Sequence, residues 1–503
     1  MRSSIQPVRA RFAPSPTGHV HLGSARTALF DYLIAQQTKG QFILRIEDTD
    51  QKRLVQGAEA ELIENLHWLG IKWDEGPDVG GPFAPYRQSE RKEIYLKYAR
   101  ELVEKGYAYY CFCSTERLNQ VRKEKQAHKE LPHYDGLCRQ ISLEDADKRI
   151  AAGEPHVIRF KTPRDGKTTV VDLIRGDVTF DNATLDDYIL VKADGWALYH
   201  LAAIVDDHLM QISHVIRGSE WLPTSPLHAM IWKAFGWKEP VWVHLSVFLK
   251  PSGKGKMSKR EASDLQKDGY SIYIKDLKEL GYLPEAVINW IALMGWSFDD
   301  RSERFSMNDL IDKFSLEKLN PSPAAINFSK LDYFNKTYIK SLPYDDLANR
   351  IRPFFEAKGF HPEKDTLIKM APIINERITT LDESVEKCEF FFVEKIEYSL
   401  NDLIIENLSP DDTMGIAEKI VFSLENIQDW NSIELEASLG GLMKDANLTP
   451  KQLLSYIREA ISGQKVTPPL FESMEILGKP KTIERLRYAL EFMRSCIKSK
   501  TTN

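Results

Sequence analysis

Val8–Ala13 (VRARFA) alternates polar and apolar positions as a strand does, and then meets the turn Pro14-Ser-Pro-Thr-Gly18. Beyond the turn, the apolar positions of Ala25–Gln36 recur at helical spacing, and Gln41–Ile46 returns to a strand. Strand, Gly/Pro loop, helix and strand in that order predict the opening of a doubly wound α/β domain. Helices are predicted near Glu59–Leu69 and Arg91–Lys105. From Cys111 to residue 195 the pattern changes to short mixed strands, His156–Lys161 and Val170–Ile174, among many turn residues, which predicts an insertion. α/β elements resume at Ala197–Asp206 and Gln211–Ile216. From about Gly255 the chain is largely helical, Asn320-Pro-Ser-Pro323 reads as a linker, and amphipathic helices follow Asn335. The expected segments are therefore 1–110, 111–195, 196–253, 254–335 and 336–503.

Composition narrows the class. With 503 residues, 43% of them apolar and 28% charged, the chain is expected to be a soluble globular protein of several domains. The longest apolar stretch, Ala286–Trp296, is too short to span a bilayer, so no membrane association is expected. Met1–Ala10 has no apolar core of a secretory signal. Five cysteines in so long a chain argue against a disulfide framework and for the reducing cytoplasm. The net charge of −6 excludes a chain that grips nucleic acid by bulk charge alone. That total is uneven: Asp382–Asp445 holds 16 acidic and 4 basic residues, which leaves the other 439 residues at +6. Local positive surfaces for a polyanion therefore remain open, with the acidic segment expected to face away from it.

Two motifs could carry chemistry. In Pro14-Ser-Pro-Thr-Gly-His19-Val-His21-Leu-Gly23-Ser24, a glycine-containing turn opens a helix whose free N–H groups suit phosphate, with His19 and His21 as donors. Read alone, it is equally a strand-to-helix turn with two solvent-facing histidines. Lys250–Arg260 holds five basic residues and no acidic one, in a Gly-rich loop suited to a charged phosphoryl transition state, or simply to solvent.

Together, an HxGx turn and a downstream Lys256-Met-Ser-Lys259-Arg260 resemble the signature pair of class I aminoacyl-tRNA synthetases. Arg45-Ile-Glu-Asp-Thr-Asp50, Val205-Asp-Asp-His208 and Val215-Ile-Arg-Gly-Ser-Glu220 narrow the resemblance to the glutamyl/glutaminyl branch. The length, Tyr134-Asp-Gly136 and the helical last third are similar to the bacterial glutamyl-tRNA synthetases. The resemblance implies a Rossmann-like α/β catalytic domain with a parallel sheet, split into 1–110 and 196–253 by an inserted α+β acceptor-binding domain at 111–195. It further implies a stem-contact domain at 254–335 and all-α anticodon-binding domains at 336–503. The implied reaction joins L-glutamate to ATP, taken with Mg2+, and passes glutamate to tRNA-Glu. A form that also charges tRNA-Gln is the alternative.

The resemblance also assigns residues. His21, Lys256, Ser258 and Lys259 would be catalytic. His19, Gly23, Ser24 and Arg260 would join His21, Lys256 and Lys259 around ATP. Arg11, Ser15, Glu47, Tyr199 and Arg217 would hold glutamate, with Arg217 on the side-chain carboxylate, because a guanidinium fork pairs carboxylates and a neutral amide would leave it uncompensated. Some members carry Asn where this chain has Ala203. Arg377 would read the anticodon, and Arg117–Lys129, Lys250–Arg260 and Lys479–Lys500 are candidate RNA-facing surfaces. Most members are monomers, and a monomer is implied.

Cys111, Cys113 and Cys138 could ligate zinc. Zinc-bearing relatives often place a His two residues after the last Cys, where this chain has Gln140. Tyr134 resembles the Tyr ligand of a tRNA-modifying relative, and His133 is another candidate. A site that has lost its metal is the alternative. Rival functions fit less well. Glutaminyl enzymes carry β-barrel anticodon domains, the tRNA-queuosine glutamylating enzymes lack an anticodon part, and a small-metabolite nucleotidyltransferase needs neither Arg11 nor Arg217.

Overall fold

A run of buried side chains explains the first element. In β1, Arg9–Phe12, the last three residues are buried, and it pairs in parallel with β2, Gln41–Leu44, in the register Arg9↔Gln41 to Phe12↔Leu44. Between them α1, Leu22–Gln37, buries ten of its 16 residues because it packs against β1, β2 and the helix Met307–Lys313. The computed structural model describes residues 6–255, 257, 265, 267 and 269–501.

The main sheet continues on the other side of β1. β8, His214–Gly218, pairs with β1, and β9, Val241–Leu245, pairs with β8, both in parallel. The hairpin β5, Lys167–Asp172, and β6, Gly176–Asp181, completes a six-stranded sheet of order β2-β1-β8-β9-β5-β6, with β6 alone antiparallel. Strand order reverses at β1, so the crevice beyond the carboxyl ends of β1 and β8 is where such sheets take ligands. Helices α6, Tyr199–Leu209, and α7, Ser225–Phe235, line this core together with α3, Lys92–Glu104.

Beginning three residues before the expected insertion, the three-stranded antiparallel sheet of β3, Ala108–Cys111, β4, Val157–Phe160, and β7, Ile189–Val191, stands apart from the main sheet. The β5–β6 hairpin, by contrast, leaves the insertion and joins the main sheet, because Asp172 pairs with Trp242 of β9.

The chain divides into two units, Met1–Leu277 with Val287–Phe328, and Lys278–Ala286 with Ser329–Asn503. Among its described residues the second unit has no strand. Its later core gathers Leu403, Ile420, Leu435, Ile457, Met474 and Leu486 from successive helices. Its last helix, Lys479–Thr501, does not present a free row of cations. Lys479, Lys481 and Arg485 donate to backbone carbonyls, and Arg487 and Arg494 pair with Glu425 and Glu418 of the acidic segment.

Candidate active site

His21 is the N-cap of α1. Its Nδ1 accepts from the backbone N–H groups of Gly23 and Ser24 at 3.0 and 3.3 Å. An accepting Nδ1 leaves the proton on Nε2, which lies 3.2 Å from the Ser24 hydroxyl and so is a donor. The first turn of α1 carries no acidic residue, so the positive end of the helix dipole is not neutralised there. His19 is turned to Glu61, 2.7 Å away, at the rim of this turn.

The turn is tied to the chain that follows the basic loop. Leu22 donates its N–H to Ile272 O, and Ile274 donates to Val20 O, each at 2.9 Å. Before the loop, Phe248–Leu249 pairs with Ala324–Ala325. Lys256, Ser258, Lys259 and Arg260 themselves lie outside the described residues.

A second group is electrostatic. Arg11, on β1, donates to Asp207 Oδ1 at 3.0 Å, and Arg45 donates to the same oxygen at 2.7 Å and to Glu47 at 3.0 Å. All four side chains are buried. Burial pushes the Glu47 carboxyl up, against the pull of Arg45 and Arg11, whereas the two guanidiniums hold Asp207 below its usual range in spite of burial. Asp207 and Arg45 are not among the expected site residues. Both lie in segments that carry the family resemblance, Arg45–Asp50 and Val205–His208, but nothing in the sequence pairs them with each other or with Arg11.

Arg217, near the end of β8, is held differently. Its Nε donates to His244 Nε2 at 3.0 Å, and its Nη1 to the Tyr199 hydroxyl and to His228 Nδ1, both at 3.2 Å. Its guanidinium lies 5.0 Å over the Trp242 ring. Nη2 is buried without a hydrogen-bond partner. A buried donor left unpaired is costly, so this one asks for an acceptor from a ligand. Tyr199 stands in the field of Arg217, Glu47 and Arg11 together, and burial pushes its hydroxyl up. Its ring packs on Trp221, 4.3 Å between centroids. Ser15 is exposed on the Pro14–Gly18 turn, and Ala203 is buried in α6.

In the three-stranded domain, the sulfurs of Cys111, Cys113 and Cys138 lie within 4.8 Å of one another. Cys113 and Cys138 are 3.6 Å apart, and the Tyr134 hydroxyl sits 3.5 and 3.3 Å from Cys111 and Cys113. Tetrahedral zinc with Zn–S near 2.3 Å separates its sulfurs by about 3.8 Å, so this donor set fits the ion. The Cys111 thiol is lowered and the Cys138 thiol raised, chiefly by their mutual hydrogen bond. In the second unit Arg377 is exposed, in the fields of Arg458 and of Glu376, beside which Lys336 and Lys340 also act.

A largely parallel, doubly wound sheet with a capped helix end and buried arginines at its switch point is a frame that suits nucleotide binding. Residues 7–333 match the family described as "tRNA synthetases class I (E and Q), catalytic domain", and residues 346–490 match "Anticodon binding domain". The glutamate–tRNA ligase of Dehalococcoides mccartyi is 44% identical over 488 residues, covering 96% of this chain and 98% of its own. That of Borrelia recurrentis is 41% identical over 500 residues, covering 98% and 97%. The crystal structure of a glutamate tRNA ligase from Elizabethkingia meningosepticum, in complex with its amino acid, superposes with a TM-score of 0.86 at 36% identity, covering 97% of this chain and 99% of that one. The chain belongs to the glutamate–tRNA ligases, class I aminoacyl-tRNA synthetases with an all-helical anticodon-binding part.

Proposed function

We propose that the chain activates L-glutamate with ATP and transfers it to the terminal adenosine of tRNA-Glu. The α-carboxylate oxygen of glutamate attacks the α-phosphorus of ATP, and pyrophosphate leaves. The 2′-hydroxyl of the tRNA then attacks the activated carboxyl, and AMP leaves. The observation that carries the substrate reading is Arg217, a buried cation with an unpaired Nη2 beside Tyr199. It takes the side-chain carboxylate of glutamate, while Arg11, Ser15 and Glu47 address the rest of the amino acid, with Glu47 facing the ammonium.

His21 donates from Nε2 to the phosphates at the start of α1, where Gly23 leaves room for their approach, Ser24 adds its hydroxyl and His19 stands at the rim. Lys256, Ser258, Lys259 and Arg260 act on the same phosphates, with Lys259 offsetting charge on the α-phosphate and on pyrophosphate. Positioning and electrostatics carry such a transfer, and no side-chain base is required. Mg2+ bound with ATP would supply further neutralisation of the pyrophosphate. Zinc held by Cys111, Cys113, Cys138 and the Tyr134 oxygen would brace the three-stranded domain, and no chemical step passes through it.

For tRNA, the exposed helix α4, Thr115–Ala127, which buries no residue, supports contact with the acceptor end. The cationic group around Arg377 supports contact with the anticodon. Among the described residues no helix is long and apolar enough to cross a membrane. The family resemblance supports a cytoplasmic monomer.

The test is ATP–pyrophosphate exchange in the presence of tRNA-Glu or tRNA-Gln. Exchange that depends on glutamate and on tRNA-Glu is expected. Exchange driven equally by glutamine would overturn the substrate reading, and charging of both tRNAs would identify the broader form.

A further inference from the structure

Arg11 and Arg45 both pair with Asp207, and Arg91 pairs with Asp206 at 2.7 Å, so each of these buried cations meets a carboxylate directly. Arg217 differs. All of its hydrogen-bond partners are neutral acceptors: His244, His228 and Tyr199. Arginine has donors only, so His244 Nε2 and His228 Nδ1 must both be lone pairs.

That requirement propagates outward. His244 must carry its proton on Nδ1, which donates to Asp172 Oδ2 at 2.7 Å. His228 must carry its proton on Nε2, which donates to His200 Nδ1 at 2.9 Å. Asp172 is in turn immobilised. Its Oδ2 also accepts from the His244 backbone N–H, and its Oδ1 accepts from those of Ile174 and Arg175, all three at 3.0 Å. Parallel register makes Arg217 and His244 direct neighbours on β8 and β9. The chain Asp172–His244–Arg217 therefore crosses three strands in hydrogen-bonded steps.

Resting on the glutamate reading above, we infer that Asp172, His244 and His228 are positioning residues that hold the Arg217 fork in one orientation without neutralising it. A carboxylate in place of either imidazole would pair with the guanidinium and spend its charge, and the pocket would then distinguish a carboxylate from an amide poorly. Neutral acceptors satisfy Nε and Nη1, and leave both the charge and Nη2 for the substrate. The buried anion is kept one imidazole away, where it sets the tautomer instead of meeting the cation.

The experiment is tRNA-Glu-dependent ATP–pyrophosphate exchange by the full chain, with KM and kcat measured for glutamate and KM for ATP. Asp172→Asn and His244→Leu are expected to raise the glutamate KM about tenfold or more, with the ATP KM unchanged, because the first removes the carboxylate that fixes the His244 tautomer and the second removes the acceptor of Arg217 Nε. His244→Gln, which keeps an acceptor near the Nε2 position, is expected to recover most of the loss. Circular dichroism melting checks that the variants fold, and if His244→Leu does not, Asp172→Asn decides alone. A glutamate KM within twofold of the parent in folded Asp172→Asn or His244→Leu would overturn the inference. An Arg217→Lys variant with the parent's glutamate KM would instead overturn the glutamate reading itself, so the two failures are distinguishable.

Discussion

A Cβ placed on Gly23 would lie 2.9 Å from His21 Cε1 and 3.0 Å from its Nδ1. The glycine of the HxGx turn thus makes room for the histidine that caps its own helix, as well as for a ligand. Gly23→Ala is expected to push the imidazole off the cap, raising the ATP KM and costing about 1 kcal/mol of stability from the lost cap. Exchange kinetics with varied ATP, together with a urea melt, check this. A variant with the parent's ATP KM would show that the cap does not position His21.

Asp207 bridges two buried guanidiniums, and removing its charge leaves two cations with one anion fewer. Asp207→Asn is expected to cost about 3–5 kcal/mol in a denaturant melt. Arg487→Ala, which breaks a solvent-exposed pair with Glu425, is expected to change stability by about 0.5 kcal/mol or less. Similar losses from the two variants would contradict the assignment of the first as a buried hub.

His200, His228 and His244 are all held neutral. Burial pushes His200 down to about 4 and lowers the other two, with Arg217 adding to each and Asp172 opposing only at His244. The unfolded imidazoles take up protons near pH 6.5, whereas the folded ones do not. The unfolded state therefore binds more protons below that pH, and stability falls as the pH drops from about 6.5 toward 4. The slope is at most about 1.4 kcal/mol per pH unit for each histidine. Melting temperatures between pH 7.5 and 4.5 check the sign, and His200→Gln should flatten the profile. An unchanged slope in that variant would rule out the contribution of His200.

Zinc is expected at about one equivalent per chain. Elemental analysis of the purified chain would read it, with Cys138→Ser as the control that loses the metal. A parent chain without zinc would leave the cluster as three thiols closed by Tyr134.

The first strand–turn–helix–strand unit was legible because its signal is local. Alternation, a Gly/Pro turn and 3.6-residue spacing are properties of neighbours in sequence, and β1, α1 and β2 lie within a few residues of where they predict. His21, Arg11, Glu47 and Arg217 were named through the motif resemblance, since no one of them stands out from its chemistry alone. The partners of those residues were not. Asp207 is 196 positions from Arg11, and His244 sits 72 positions from the Asp172 that sets its tautomer.

Charge shows the same division. The acidic segment was plain in the sequence, and so was the basic last helix, but as separate faces. Packing sets Arg487 and Arg494 on Glu425 and Glu418, so part of each charge is spent on the other.

By itself the sequence determined the fold class and the family, since periodicity and motif spacing are one-dimensional. Only the tertiary structure decided which buried arginine is neutralised and which is left charged. That depends on parallel register between strands far apart in the chain, and register is a property of the sheet.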